Sequence, residues 1–287
     1  MKIKFTKMQA YGNDYVYIDA INQELKNLPA LARFVSDRHF AIGSDGMVLI
    51  CPSDVADFRM RMFNPDGSEG EMCGNAIRSL GKFVYDHRFT DKEHVKIETL
   101  GGIKDLWFDV TDGFVSNITA NIGEPIFDTK LIPVNVETDE FVDVPVQILD
   151  RSFNISALSW GNPHCVMFLE EELSDFDVEK YGKAIEFHTE LFTNKTNVTF
   201  AKVIDRKYIK IREWERGTGE TIGCGTGCCT AFVFANRLGM VDDEVTVEQI
   251  GGNLEARWDK ETNEVYMKGP SHTVFEAEIE VDFDNIK

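Results

Sequence analysis

Two short segments carry the residue types for proton chemistry, Cys73-Gly74-Asn75 and Cys224-Gly225-Thr226, and their cysteines stand 151 residues apart. Each follows a polar, Gly-containing turn and opens an apolar-periodic run, which predicts a cysteine at a helix start in both places. A helix N-terminus leaves N–H groups without intrahelical partners and carries a partial positive charge. Such a position binds a carboxylate and lowers the pKa of a thiol. The Gly after each cysteine lets a ligand approach the backbone closely. If both thiols reach one substrate, one thiolate removes the proton from a carbon next to a carboxylate while the other thiol delivers a proton to the opposite face. The N–H groups then stabilise the enediolate charge. A thiolate alone is too weak a base for an amino-acid α-hydrogen, so desolvation and preorganised donors must supply most of the stabilisation. No pyridoxal-phosphate lysine or metal-ligand cluster is evident, which leaves proton transfer without metal or cofactor as the expectation. A single cysteine at a helix start is commonly a small core residue; a repeated one points to chemistry.

The elements that must position these thiols are mostly strands. His272 to Val281 alternates, with Phe275, Ala277, Ile279 and Val281 on one face and Glu276, Glu278 and Glu280 on the other, which predicts a half-buried strand. Val95 to Thr99 and Tyr208 to Arg212 share that period. Leu28 to Ser36 and Leu173 to Ile185 read as helices. Two more begin at the Cys-Gly segments. In the first, Ile77, Leu80 and Val84 follow helical spacing; in the second, Cys228 to Ala235 is apolar nearly all round, which predicts a helix enclosed on every side. A weak internal repeat organises the whole. At the offset of the two cysteines, Glu69 matches Glu220, Phe63 matches Trp214 and Arg61 matches Arg212. Tyr11-Gly12-Asn13 matches Trp160-Gly161-Asn162 at an offset of 149. The expectation is two similar domains, residues 1–122 plus 268–287 and residues 123–267, with the crossing near Asn121 to Asp128 and the last strand returning to the first domain.

Composition narrows the partners. The chain has 287 residues with 30 Lys and Arg against 49 Asp and Glu, a formal charge of −19, which argues against nucleic acid and anionic membrane surfaces. The N-terminus has no apolar h-region of a secretory signal, and the apolar run around Cys228 to Ala235 is too short to span a bilayer. Six sparse, unevenly spaced cysteines without a C-x-x-C pair suggest neither a disulfide framework nor zinc, so a cytoplasmic setting with thiols is expected. Cys51, Cys165, Cys228 and Cys229 read as packing residues. Gly43-Ser44-Asp45-Gly46 lacks the lysine and spacing of a phosphate loop and reads as a turn.

The chain resembles the diaminopimelate epimerase family over essentially its whole length. The blocks that carry the likeness are Gly12-Asn13-Asp14, Phe63 to Glu69 leading into Met72-Cys73-Gly74-Asn75, Gly161-Asn162-Pro163-His164-Cys165, Thr196-Asn197-Val198, and Trp214-Glu215-Arg216-Gly217 through Glu220-Thr221 to Cys224-Gly225-Thr226-Gly227. The resemblance implies an α/β (α+β) fold of two pseudo-symmetric domains, each a β-barrel-like sheet wrapped around a central helix, with the active site in the interdomain cleft. It also implies a homodimer and cofactor-independent interconversion of LL- and meso-diaminopimelate, in lysine and peptidoglycan precursor biosynthesis. By position it implies Cys73 and Cys224 as the acid/base pair and Gly74, Asn75, Gly225 and Thr226 as holders of the reacting carboxylate. Asn13, Asn64, Asn162, Asn197, Glu215 and Arg216 are its further substrate contacts, and His164 and Glu215 its groups that bias the thiol pKa values. Four features depart from the family pattern: Gly74-Asn75-Ala76 replaces Gly-Asn-Gly, Tyr11 replaces a small residue, Cys228-Cys229 replaces Ala-Cys, and no Gln stands near Ser44 to Met47. An alternative is a racemase of another polar amino acid, such as histidine, on the same scaffold; proline-racemase-like chains typically carry His where this one has Asn75. A binding protein would need neither thiol, and a redox role predicts a functional disulfide.

Overall fold

In the computed structural model, which describes residues 1–283, the chain divides into two units: Met1–Ala120 with the chain from Gly269 onward, and Asn121–Lys268. The first unit runs β1 (Lys2–Ala10), β2 (Asn13–Asp19), α1 (Leu28–Ser36), β3 (Met47–Cys51), β4 (Phe58–Phe63) and β5 (Glu69–Gly70). It continues with α2 (Gly74–Asp86), β6 (His94–Thr99), β7 (Gly102–Thr111) and β8 (Phe114–Gly123), the strand that carries the chain across the boundary. The second unit runs β9 (Phe141–Ile148), β10 (Arg151–Ser159), β11 (Pro163–Phe168), α3 (Val178–Glu186), β12 (Asn197–Asp205), β13 (Tyr208–Glu215) and β14 (Gly219–Thr221). Then come α4 (Gly225–Arg237), β15 (Glu244–Gln249), β16 (Gly252–Trp258) and β17 (Val265–Gly269), before β18 (His272–Glu280) returns to the first unit.

Hydrogen-bonded neighbours in the first unit follow the order β18, β1, β2, β3, β4, β6, β7, β8, with β5 beside β4. The second follows β9, β10, β11, β12, β13, β15, β16, β17, with β14 beside β13. Each sheet has two parallel pairings at corresponding places, β2–β3 and β4–β6 in one, β11–β12 and β13–β15 in the other. Parallel neighbours need a crossover connection, and those crossovers are α1 and α2, then α3 and α4. The two units therefore share one topology, with β18 in the place that β9 holds.

Each sheet curls around its second helix. Helix α2 packs on β1, β2, β3 and β7, and α4 on β11, β12, β13, β15 and β16. The run Cys228 to Ala235 is buried without interruption, as its unbroken apolar character predicts. Phe232 and Phe234 are fully buried, and side chains of this size contribute roughly 1.5–3 kcal/mol each when taken out of water. The outer helices are amphipathic and cover the other sheet face: α1 adds Leu31, Ala32 and Val35 to a cluster with Ile3, Val16 and Leu49. Helix α3 adds Tyr181 and Ile185 to one with Phe153, Phe176 and Phe200. Among the described residues no helix is long and apolar enough to cross a membrane.

Two expectations need correction. Leu173 to Ile185 is a short 3₁₀ turn, Leu173–Asp175, followed by a separate helix. Phe176 ends the first piece and Asp177 caps the second, its side chain accepting from the Lys180 N–H, because a carboxylate that satisfies first-turn donors favours a fresh start over a continuous helix. His272 to Glu280 is a strand paired with β1, yet it is not half-buried: Val274 and Phe275 are 56% and 44% exposed. Alternation fixes which residues share a face, while burial depends on what covers that face.

Candidate active site

Cys73 is the N-cap of α2, with extended backbone (φ −130°, ψ 127°), and its carbonyl accepts the first helical bond from Ile77 at 2.9 Å. Its side chain is half-buried. Around it the first unit gathers Asn13 and Tyr15 from β2. The thiol donates to Asn13 Oδ1 at 3.4 Å, and burial together with the neighbouring Cys73 holds the Tyr15 phenol well above its ordinary value. Asn13 cannot turn freely, because its Nδ2 donates to Asp45 Oδ2 at 2.8 Å. Asp45 is held in turn by Arg38 at 2.8 Å and by the Asp14 N–H at 3.0 Å. Gly74 and Asn75 lie buried in the first turn, the Asn75 Oδ1 accepting from the fully buried Arg78 at 2.8 Å. Asn64 sits at the β4–β5 turn, bonded to Ser68 by side chain and backbone.

Cys224 caps α4 in the same way (φ −128°, ψ 108°), and here the sulfur itself accepts from the Gly227 N–H at 3.4 Å. Thr226 Oγ1 lies 3.5 Å from it, and the Cys224 N–H donates to Gln249 Oε1 at 2.8 Å. Glu213 on β13 accepts from Thr199 Oγ1 at 2.5 Å. Glycine is required at 227, since a Cβ there would stand 2.5 Å from the Glu213 carboxylate oxygen. Glu215 accepts from Thr221 Oγ1 at 2.6 Å, and the Arg216 N–H donates to Asn197 Oδ1 at 2.9 Å. Asn197 Nδ2 donates to the Pro163 carbonyl at 2.9 Å and lies 3.5 Å from His164 Nε2. Asn162 is half-buried at the β10–β11 turn.

The electrostatics correct one expectation. A helix N-terminus lowers a thiol pKa, but burial pushes Cys224 well above the ordinary thiol value. The Glu215 carboxylate adds to the rise, and the bonds from Thr226 and Gly227 oppose it. Desolvation outweighs the helix terminus, so Cys224 rests as a thiol, the form that delivers a proton. Burial also lowers His164 to about 3, aided by the Arg216 charge, and holds Glu213 well above the usual carboxylate range. His164 Nδ1 and Glu213 Oε1 face each other at 3.8 Å and neither has a hydrogen-bond partner among the described residues. A charged pair at that separation would not offset the removal of two ions from water, so both are neutral. Tyr15, Asp45, Thr199 and Glu213 escape the sequence reading. Only Asp45 left a signal, in the Gly-rich turn around it.

A curled sheet packed about a central helix, built twice in one chain, is the fold of a class of known structures. The PhzF-family phenazine biosynthesis protein of Bacillus anthracis superposes with a TM-score of 0.73 at 19% identity, covering 98% of this chain and 100% of its own. A probable proline racemase from Agrobacterium radiobacter gives 0.74 at 13% identity, covering 99% and 94%. The sequence is more specific: the diaminopimelate epimerase family profile matches residues 5–127 and 156–274. The diaminopimelate epimerase of Methanococcus maripaludis is 50% identical over 279 residues, 97% of this chain and 100% of the relative. That of Acetivibrio thermocellus is 46% identical over 280 residues, 98% and 99% of the two. The chain belongs to the diaminopimelate epimerase family.

Proposed function

We propose that this chain is a cofactor-independent isomerase that interconverts LL- and meso-diaminopimelate, with Cys73 and Cys224 as its acid/base pair. The observation that carries the reading is the repeat itself. Equivalent positions of two topologically matching units each place a thiol at a helix start, beside N–H groups suited to a carboxylate. In this reading one sulfur takes the α-proton as a thiolate. The C–H electron pair moves into the carboxylate as an enediolate, held by the first-turn N–H groups of Gly74 and Asn75 and of Gly225 and Thr226. The other thiol then protonates the carbon from the opposite face and becomes the thiolate for the reverse reaction. Arg216 is suited to pair with the distal carboxylate and Glu215 with an ammonium. Asn13, Asn64, Asn162 and Asn197 offer neutral donors and acceptors, and His164 and Glu215 bias the thiols.

The test is α-proton exchange in heavy water, followed by NMR on reduced protein with no added metal or pyridoxal phosphate. A panel of LL-diaminopimelate, lanthionine, histidine and proline separates the candidates. Exchange and inversion of LL-diaminopimelate are expected; preference for histidine would move the assignment to a racemase of another amino acid, and silence across the panel would remove it.

A cytoplasmic setting and a homodimer complete the proposal. All six cysteines are present as thiols, which suits a reducing compartment. The exposed Val274 and Phe275 of β18 suit a second copy, since exposed apolar surface of this kind marks contact sites. Sedimentation at micromolar concentration should give twice the chain mass, and Phe275→Glu should lower it to one.

A further inference from the structure

The tip of the β15–β16 hairpin, Gln249-Ile250-Gly251-Gly252, lies against the segment that leads into α4 and holds it at two points. The Gly251 N–H donates to the Ile222 carbonyl at 2.6 Å, and Gln249 Oε1 accepts from the Cys224 N–H at 2.8 Å. A backbone N–H can only donate, so the atom facing Cys224 is the amide oxygen, and the orientation of the side chain is fixed. The same oxygen accepts from the Cys228 thiol at 3.3 Å, one turn further along α4. Both of its lone pairs are thus used by two cysteines of one helix, and all three residues are buried. Cys228, where the family pattern has Ala, therefore does more than fill space.

The nitrogen of that amide is placed differently. Gln249 Nε2 is buried and has no hydrogen-bond partner among the described residues. An unpaired buried donor is destabilising, and an apolar side chain of the same length would not carry one. What the glutamine contributes is the oxygen, and the oxygen holds the backbone of the residue that carries the sulfur. The hairpin itself belongs to the repeat: Glu98-Thr99-Leu100-Gly101-Gly102 matches Glu248-Gln249-Ile250-Gly251-Gly252 at an offset of 150. Thr99 pairs with Gly102 across its turn as Gln249 pairs with Gly252. Thr99 turns its short side chain back onto its own hairpin, donating to the Gly102 carbonyl at 2.7 Å. Gln249, with the longer side chain, reaches out of its hairpin to Cys224.

We propose that Gln249 is a positioning residue for Cys224: its carbonyl oxygen, shared with Cys228, fixes the backbone of the cysteine at the start of α4 and so the place of its sulfur. The catalytic consequence rests on the epimerase reading; the hold on Cys224 does not. Gln249→Met keeps the length of the side chain and removes the oxygen. The measurement is the rate of iodoacetamide labelling of each cysteine in the reduced full-length chain, resolved by peptide mass spectrometry. Losing the bond lets the stretch from Ile222 to Cys224 open locally, so Cys224 labelling should rise about ten-fold, the weight of one hydrogen bond on a local opening. Cys73 and the buried Cys165 should label as in wild type. Gln249→Glu keeps an acceptor oxygen in the same place and should hold Cys224 within about two-fold of wild type. That pattern supports the proposal even if no diaminopimelate turnover is found. An unchanged Cys224 rate in Gln249→Met or an equal rise in Gln249→Glu overturns it, even in an active epimerase. So does a rise at Cys165 as large as that at Cys224, which would mean general loosening. If turnover is present, Gln249→Met should lower kcat about ten-fold with little change in KM, because the bond meets the Cys224 N–H, ahead of the carboxylate-binding groups of Gly225 and Thr226. Deuterium wash-in should then fall mainly for the epimer that Cys73→Ala still exchanges, a selectivity that a general loss of structure does not produce.

Discussion

Cys73→Ala and Cys224→Ala each abolish inversion, with turnover down by about a thousand-fold or more, the scale set by loss of a positioned acid or base. The loss should be complete in either single variant, because a symmetric two-thiol reaction has no spare partner. The residual chemistry separates this mechanism from a one-base reaction. Each variant keeps one sulfur, able to reach the α-proton from one face only. Slow deuterium wash-in should therefore be confined to one epimer in Cys73→Ala and to the other in Cys224→Ala. Exchange from both epimers in one variant, or near-normal turnover in either, would exclude the paired thiols. The fold should survive both changes. Cys224 loses an acceptor for the Gly227 N–H, a cap worth about 0.5–2 kcal/mol, while Cys228 N–H still closes the first helical turn on the residue-224 carbonyl. Circular dichroism and thermal melts check that the lost activity is not lost structure.

The same residues show how much of this molecule is legible in sequence. Cys-Gly at both helix starts, the apolar Cys228–Ala235 run and the period-two strands are local patterns. They give the starts of α2, α4, β6, β13 and β18 to within one residue. The offset near 150 carries the duplicated topology, because several features recur in one order. What stays hidden is set by contacts across the chain. The break at Asp177 depends on a capping bond that competes with helix propagation, and the exposure of β18 depends on which face is left uncovered. Asp45 reads as a turn residue because Gly-Ser-Asp-Gly is turn chemistry; its bond to Asn13 spans 32 positions. Glu213 is a carboxylate and so reads as solvent-facing by residue type, while Arg212 beside it pairs with Glu220 at 2.7 Å on the other face. Alternation places Glu213 on the opposite face, under α4, where charge is least expected. A reading from residue types alone puts carboxylates outside; here the glycine at 227 and the hydroxyl of Thr199 make a berth for one inside.

That buried carboxyl sets the second large effect: Glu213→Gln stabilises the fold, and the gain grows with pH. Glu213 is held protonated by burial in the folded chain, while the unfolded chain releases the proton near the ordinary value of 4.5. Above that value, and up to the raised folded one, the folded state binds a proton that the unfolded state lacks. Stability therefore falls as pH rises through that window, by about 1.4 kcal/mol per pH unit for a full proton. Glutamine keeps the shape and an acceptor for Thr199 but has no proton to lose, so this slope disappears. His164 acts at the other end. Its folded value of about 3 lies below its ordinary 6.5, so its share of stability is present above 6.5 and is lost as pH falls from there toward 3. The variant should keep that acid limb and lose only the alkaline one. Urea denaturation of wild type and Glu213→Gln at pH 5 and pH 8 reads the difference directly, with the larger gap expected at pH 8. Equal pH dependence in the two proteins would mean that Glu213 is ionised in the fold. The carboxylate would then stand beside the Cys224 sulfur as a fixed negative charge, and Cys224 would be held still more firmly as the proton donor.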